Sequence, residues 1–574
     1  MTPENKKNEK RNRFQRLSAI ARVTLVRLVD GGARASGKLF PNEDPLPNCD
    51  VLAQHGPTQF LSPNDPDFTD NSDQDLGTGA QTLPGSEQNS LRIRDAANPV
   101  IPVWASNSVW YQVYPLGFFD CVLHNGHEEP PEDRISALAL WFDYLEELGV
   151  GVVLFNPLFE SDSHGYDTTD YFKIDRRLGT VDAFRKVVQE LHSRNIRVVL
   201  DGVFNHTGRN HAAFLDCREH GLQSEYATWY KLRPGSSPCG DSFEYSAWEG
   251  HYGLPELNHD DPGVKQMIFD VARFWLADVG VDGWRLDVAH EISPTFWREF
   301  AEVCTAARTD TCLVGELIHG DYRRWVSRDV LHSATNYQLS HSLWHSVVDR
   351  NYFEFVHSLQ RCQELYGGLH LLEFVGNHDV QRLTSRLQEP GDHVLAHGAL
   401  LFAAGGMPCL YYGDEYGMKG LGTKDGGALN DADLRKPALA PQQLTAEGQT
   451  MIKAVALMLE IRRQYACFQQ GRVTVLANSN EQLAVVREDE NHIGLVLFNC
   501  SAHAVDGFPQ YVGLDAASAR LLGGKVLQRV LCFSNGRQVQ TSGTAAVDKV
   551  NQLVVDGGFL PSSMAVYTST TTKL

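Results

Sequence analysis

The sequence predicts an α/β fold: a (β/α)8 TIM barrel with a short excursion domain after its third strand, then a C-terminal antiparallel β-sandwich. Three observations predict it. Short apolar runs alternate with amphipathic segments eight times between Trp110 and Tyr412, which implies parallel strands joined by helical crossovers. One connection, Thr207 to Asn258, breaks that rhythm with Gly, Ser, Tyr and Trp and little helical pattern. Beyond Gly471 the texture changes to short strand-like runs between turn residues.

Taken in order, residues 1–100 differ from everything after them. Met1 to Arg16 is strongly charged, and the apolar run Leu17 to Val29 is broken by Arg22 and Arg27, so it reads as neither a membrane span nor a convincing signal peptide, with an amphipathic surface helix or a transit-like segment as the alternative. Pro41 to Asn98 is rich in Pro, Asn, Asp, Gly, Ser and Gln. Such a stretch buries too little apolar surface to offset its ordering entropy, and a disordered tail is expected. Order is expected from near Val103, with the barrel filling 101–470. Its strands are expected at Trp110–Tyr114, Gly151–Phe155, Ile196–Asp201, Gly283–Val288, Cys312–Leu317, Ala334–Leu339, Leu371–Val375 and Cys409–Tyr412. Helical periodicity marks Ile135–Leu148, Val181–Arg194 and Val264–Val279. The excursion spans 207–258. In 471–574, Val473–Leu476, Leu483–Val486, Ile493–Phe498 and Ala565–Tyr567 read as antiparallel strands.

Composition narrows the function classes. The chain has 574 residues, 42% of them hydrophobic and 10% aromatic, enough for a large core. A net charge of −20 argues against nucleic acid, since phosphate needs a basic face. Eleven cysteines lie scattered, with no C-x-x-C pair and no metal-finger spacing. That pattern fits a reducing, cytoplasmic setting and assigns no metal ligand.

The chain is organised around Asp282-Gly-Trp-Arg-Leu-Asp-Val-Ala-His-Glu291. Strand side chains alternate faces, so Arg285 and Asp287 share one wall while Trp284, Leu286 and Val288 anchor the other. A structural ion pair explains such a pair equally well when it stands alone. It does not stand alone. Asp201-Gly-Val-Phe-Asn-His206 ends the third strand, Glu316 the fifth, and Asn377-His-Asp379 follows the seventh. Catalytic groups of a barrel sit at the C-terminal strand ends. Acids converging there suggest glycoside chemistry, in which a retaining enzyme needs a nucleophilic carboxylate and a proton-donating carboxylic acid about 5 Å apart. The acid must keep its proton near neutrality, which burial and neighbouring carboxylates favour.

The motifs Asp201-x-x-x-Asn205-His206, Arg285-x-Asp287, Glu316 and Asn377-His378-Asp379 resemble those of the α-amylase family of glycoside hydrolases, in order and spacing. Gly165-Tyr-Asp-Thr-Thr-Asp-Tyr171 and Leu254-Pro-Glu-Leu-Asn258 agree with it. The resemblance implies Asp287 as nucleophile, Glu316 as general acid and base, and Asp379 as stabiliser of the distorted sugar. It implies that Arg285 orients Asp287, that His206, His378, Asn377 and His290 bind substrate, and that Tyr166 stacks on the sugar ring. Asp201 and Asn205 take a supporting role. It further implies an α-glucan substrate and no cofactor for the chemistry. Calcium is used by many family members, but no dense Asp/Asn loop assigns a calcium ligand here. Arg285-Leu-Asp-Val-Ala-His-Glu291 is similar to the neopullulanase, cyclomaltodextrinase and maltogenic amylase branch, which usually has Asn where this chain has His290. That branch usually carries an N-terminal carbohydrate-binding sandwich, and residues 1–100 do not read as one, so the oligomeric state stays open. The catalytic motifs fit hydrolysis, transglycosylation and a sucrose-type reaction equally. A non-catalytic binding subunit would be signalled by loss of an acid, and all three are present.

Overall fold

The computed structural model describes residues 99–570 apart from 127–128, 388, 423–429, 505–521, 540–541, 548–552 and 556–559. The tail expected to be disordered lies almost wholly outside the described residues.

Eight parallel strands form one sheet: β1 (Trp110–Val113), β2 (Val152–Phe155), β3 (Arg197–Gly202), β4 (Gly283–Leu286), β5 (Cys312–Gly315), β6 (Ser333–Ala334), β7 (Leu372–Phe374) and β8 (Met407–Tyr411). The hydrogen-bonded order runs β6-β5-β4-β3-β2-β1-β8-β7. A parallel bridge from Thr335 to Leu372 joins β6 to β7 and closes the barrel. Trp110, Val152, Leu154, Val199, Cys312, Val314, Leu372 and Cys409 pack into one core cluster.

The sixth strand departs from expectation. Only two residues pair, because the Asn336 side chain accepts the Leu339 N–H and starts a helix, α1 (Tyr337–Val348). A side-chain cap at that position stabilises helix over strand. Helix α2 (Tyr352–Tyr366) follows at once. The segment before β4 is α-helical over Pro262–Arg273, capped by Asp261, and ends as a π-helix over Phe274–Val279. The excursion also corrects the reading of 207–258, since a nine-residue helix, Ala212–His220, lies in it. Tyr230 and Tyr245 fill its core against Phe214, while Tyr226, Trp229, Trp248 and Tyr252 are half-buried.

The C-terminal strands are antiparallel: β9 (Arg472–Asn478), β10 (Gln482–Glu488), β11 (His492–Asn499), β12 (Val526–Ser534), β13 (Thr544–Val547), β14 (Leu553–Val555) and β15 (Ser563–Thr570). They pair in the order β9-β10-β11-β15-β12-β13-β14, and the short strand Arg537–Gln538 adds to β12. The nine-residue β12 was not expected from the sequence. Alternate residues serve two layers. Ala484, Val486, Leu495, Leu497 and Tyr567 build the sheet's own core. On the opposite face Phe498 meets Tyr352, and Arg487 bonds the carbonyls of Phe402 and Ala404 on the barrel.

Candidate active site

The site is built where β3, β4, β5 and β7 end. Gly283 is required where β4 meets β5, because a Cβ there would lie 2.2 Å from the Cys312 carbonyl oxygen. The close approach sets Arg285 inside the barrel mouth, while Trp284 packs outward on Phe159 and Phe204. The strand stops at Leu286, earlier than expected. Asp287 still donates its N–H to the Gly202 carbonyl at 3.1 Å. Val288 then turns left-handed at φ 36°, an unfavourable conformation for a β-branched residue. That turn aims the Val288 N–H at Glu316 Oε2, 3.0 Å away.

One guanidinium holds three carboxylates. Arg285 Nη1 contacts both Asp201 oxygens at 2.7 and 2.8 Å and Asp287 Oδ1 at 2.9 Å, and its Nη2 lies 2.6 Å from Glu316 Oε1. All four side chains are buried. Asp287 and Glu316 thus sit on neighbouring nitrogens of one planar group, the close spacing that a nucleophile and proton donor need. Burial pushes Asp287 well above the usual carboxylate range; Arg285 opposes this, and Glu316, Asp201 and Asp379 add to it. Burial also raises Asp201, against Arg285. Like charges this close cannot all ionise freely, which together with burial makes Asp287 and Asp201 harder to deprotonate than separate carboxylates.

Asp379 stands at the mouth with its side chain 39% exposed. Its Oδ2 lies 3.0 Å from His378 Nε2 and its Oδ1 accepts from Arg435 at 2.9 Å. Burial works against it, yet His378 and Arg435 hold Asp379 below the usual carboxylate range. His378 Nδ1 faces the Gln112 amide at 3.0 Å; accepting that bond leaves the proton on Nε2, toward Asp379. The Tyr166 ring is parallel to His378 within 5°, with centroids 5.6 Å apart, and its hydroxyl donates to Asp201. Asn377 donates to the Tyr337 hydroxyl at 2.7 Å, and Tyr337 donates to Glu316 Oε1 at 3.2 Å. His206 is buried, and burial drops its imidazole to about 3, so it is neutral at any working pH. Its Nε2 has no hydrogen-bond partner among the described residues, and Trp248 covers its ring at 5.8 Å.

The fold therefore gathers Tyr166, Arg285, Asp287, Glu316, Asn377, His378 and Asp379 into one contact network, with His206 on its wall. His290 stands apart. It lies on the turn Ala289–Glu291, facing His319 at 6.1 Å and Glu291 at 3.4 Å, and no hydrogen bond joins it to the three acids among the described residues. Four participants were missed. Gln112 and Asn156 close the ends of β1 and β2, and Asn156 donates to Asp201 at 3.0 Å. A polar residue at an apolar strand's end was the available signal. Tyr337 was read as strand, and Arg435 carries no local signal for the site because its partner there, Asp379, is distant in sequence. Asp201, given only a supporting role, is the bidentate partner of Arg285.

Residues 135–446 match the model of the alpha amylase catalytic domain. The chain is 30% identical over 439 residues to a maltogenic α-amylase of Bacillus acidopullulyticus, covering 72% of each chain. It is 31% identical over 432 residues to a cyclomaltodextrinase of a Bacillus species, covering 69% of this chain and 73% of the relative. Among solved structures it resembles the cyclic α-maltosyl-(1→6)-maltose hydrolase of Arthrobacter globiformis, with a TM-score of 0.65 and 26% identity over 82% of this chain and all of the other. The chain belongs to the α-amylase family and is an α-glucan hydrolase of that type.

Proposed function

We propose that this enzyme cleaves α-1,4-glucosidic bonds of maltooligosaccharides and cyclodextrins by double displacement. The observation that carries the reading is the shared Arg285 clamp on Asp287 and Glu316. In the first step Asp287 attacks the anomeric carbon while the Glu316 carboxyl passes its proton to the glycosidic oxygen, so the leaving sugar departs as an alcohol. A glycosyl ester on Asp287 remains. In the second step Glu316, now a carboxylate, takes a proton from water as that water attacks the same carbon and releases Asp287. Arg285 neutralises the nucleophile, Tyr337 and the Val288 N–H orient Glu316, and Asp379 with His378 binds sugar hydroxyls. Tyr166 offers its face to the ring at the reacting centre. No cofactor takes part. The free thiols of the ten described cysteines suit a reducing, cytoplasmic enzyme, and no described helix is long and apolar enough to cross a membrane.

The preference for small substrates rests on the excursion. Trp248 lies beside His206, with ring centroids 5.8 Å apart, and an aromatic wall at that place favours short or cyclic chains over a polymer threaded through an open groove. The relatives named for maltogenic and cyclomaltodextrin activity point the same way. The test compares kcat/KM on β-cyclodextrin, maltotriose and soluble starch at equal glucose-unit concentration. Higher values on the first two are expected; a clear preference for starch, with rapid loss of viscosity, would reverse the reading.

A further inference from the structure

Away from the catalytic mouth, helices α1 and α2 bring together two histidines and a glutamate that the glycosidic mechanism does not use. His341 and His345 are one helical turn apart on α1, on the same face, and Glu354 lies in the first turn of α2. His341 Nδ1 is 3.2 Å from Glu354 Oε1, and His345 Nδ1 is 2.7 Å from Glu354 Oε2. A nitrogen from each ring and a carboxylate oxygen all lie within 4.8 Å of one another. Around a tetrahedral zinc ion with bonds of roughly 2.0–2.1 Å, ligand atoms stand about 3.3 Å apart, so small side-chain adjustments suffice. The three side chains are 48%, 31% and 29% exposed, which leaves an ion an entry path and room for a water ligand. The other nitrogen of His345, Nε2, faces Asp349 Oδ2 at 3.5 Å. A carboxylate behind a ligating imidazole is the outer-shell partner that orients metal-binding histidines.

We propose that His341, His345 and Glu354 form a binding site for a zinc-class divalent cation. Two imidazoles and one carboxylate suit zinc, and also cobalt or nickel, better than calcium or magnesium, which prefer all-oxygen shells. Bound metal fastens α1 to α2. Because α1 begins at Tyr337, the residue that donates to Glu316, the ion steadies an element that supports the catalytic acid. It takes no part in the chemistry itself. The sequence passed over this site because the carboxylate arrives from another helix.

The experiment uses the full chain, freed of any affinity tag and stripped with EDTA. Zinc binding is measured by competition with a chromophoric chelator, and cobalt(II) is added separately to read the visible spectrum. We expect one zinc per chain, a rise in melting temperature with zinc, and a cobalt spectrum free of thiolate charge-transfer bands. His341→Ala and Glu354→Gln should each weaken zinc binding by at least about tenfold and abolish the thermal shift. The metal-free activity of both variants should match that of the parent, which also verifies that they fold. Zinc binding that is equal in parent and variants, thiolate bands with cobalt, or no binding by the parent would each overturn the assignment and leave the three side chains as ordinary ion pairs.

Discussion

Asp287→Asn keeps the size of the side chain and removes the attacking charge. Arg285 then faces one fewer carboxylate, a change that a pocket holding Asp201 and Glu316 on the same guanidinium tolerates. The rate should fall by several orders of magnitude while the melting temperature hardly moves. Glu316→Gln distinguishes acid from bystander. An aryl glycoside whose leaving group needs no proton should keep most of its first-step rate, whereas maltotriose should lose roughly 10²–10⁴-fold or more. Equal losses on both substrates would remove Glu316 from the acid role. The residue scale is also where the sequence was most legible. The acids lie in short motifs at strand ends, so their position singled them out, and their roles came from the resemblance to the α-amylase family. Arg435 was not legible, because it joins Asp379 only through chain closure of the barrel.

At the scale of elements, a buried carboxyl stitches three pieces of the barrel. Glu415, on the turn Asp414–Tyr416 just past β8, accepts from Tyr111 of β1 at 2.8 Å, from Tyr144 of the helix Phe142–Leu148 at 2.9 Å, and from the Gly413 N–H at 2.8 Å. Burial pushes its carboxyl up from 4.5 to about 7, although the bonds from Tyr111, Tyr144 and its own turn oppose the shift. The folded state therefore holds a proton that the unfolded chain releases at a lower pH. This contribution is complete below about pH 4.5 and is lost as pH rises to about 7, on the order of 3 kcal/mol in all. Glu415→Gln cannot ionise. Relative to the parent, its urea-derived stability should improve between pH 5 and pH 8; a constant difference across that range would mean that Glu415 does not titrate there. Nothing in the local sequence announced this carboxyl, since its partners come from β1 and a helix some 270 positions away. The sixth strand failed for the opposite reason. Its apolar pattern was legible, but the Asn336 cap decides the backbone, and Tyr337 consequently points at Glu316.

At the scale of the whole molecule, alternation of strand and helix was enough to foresee the barrel, and the change of texture beyond Gly471 was enough to foresee an antiparallel sheet. How the sheet meets the barrel was not legible, because it depends on an arginine in an otherwise apolar strand. Arg487 of β10 is fully buried. It donates to the Gly471 carbonyl at 3.0 Å and to the carbonyls of Phe402 and Ala404, at 3.3 and 2.5 Å, where the turn Ala399–Ala403 leads toward β8. Its charge also faces Glu373 of β7, whose carboxyl burial raises to about 7 and Arg487 pulls back down. Substituting an apolar side chain strands three buried acceptors at once. Each lost bond to a charged donor costs about 1.5–3 kcal/mol, and partial relaxation should leave a net loss of about 3–5 kcal/mol for Arg487→Met. Arg487→Lys should recover only part of this, because an ammonium cannot reach three carbonyls in the fork geometry of a guanidinium. Thermal unfolding followed separately by tryptophan fluorescence, which reports the barrel's Trp110, Trp275 and Trp284, and by far-ultraviolet circular dichroism should show one coincident transition that falls together in both variants. A barrel transition that stays at the parental temperature in Arg487→Met would mean that the sheet is an independent appendage and that Arg487 does not couple it to the catalytic domain.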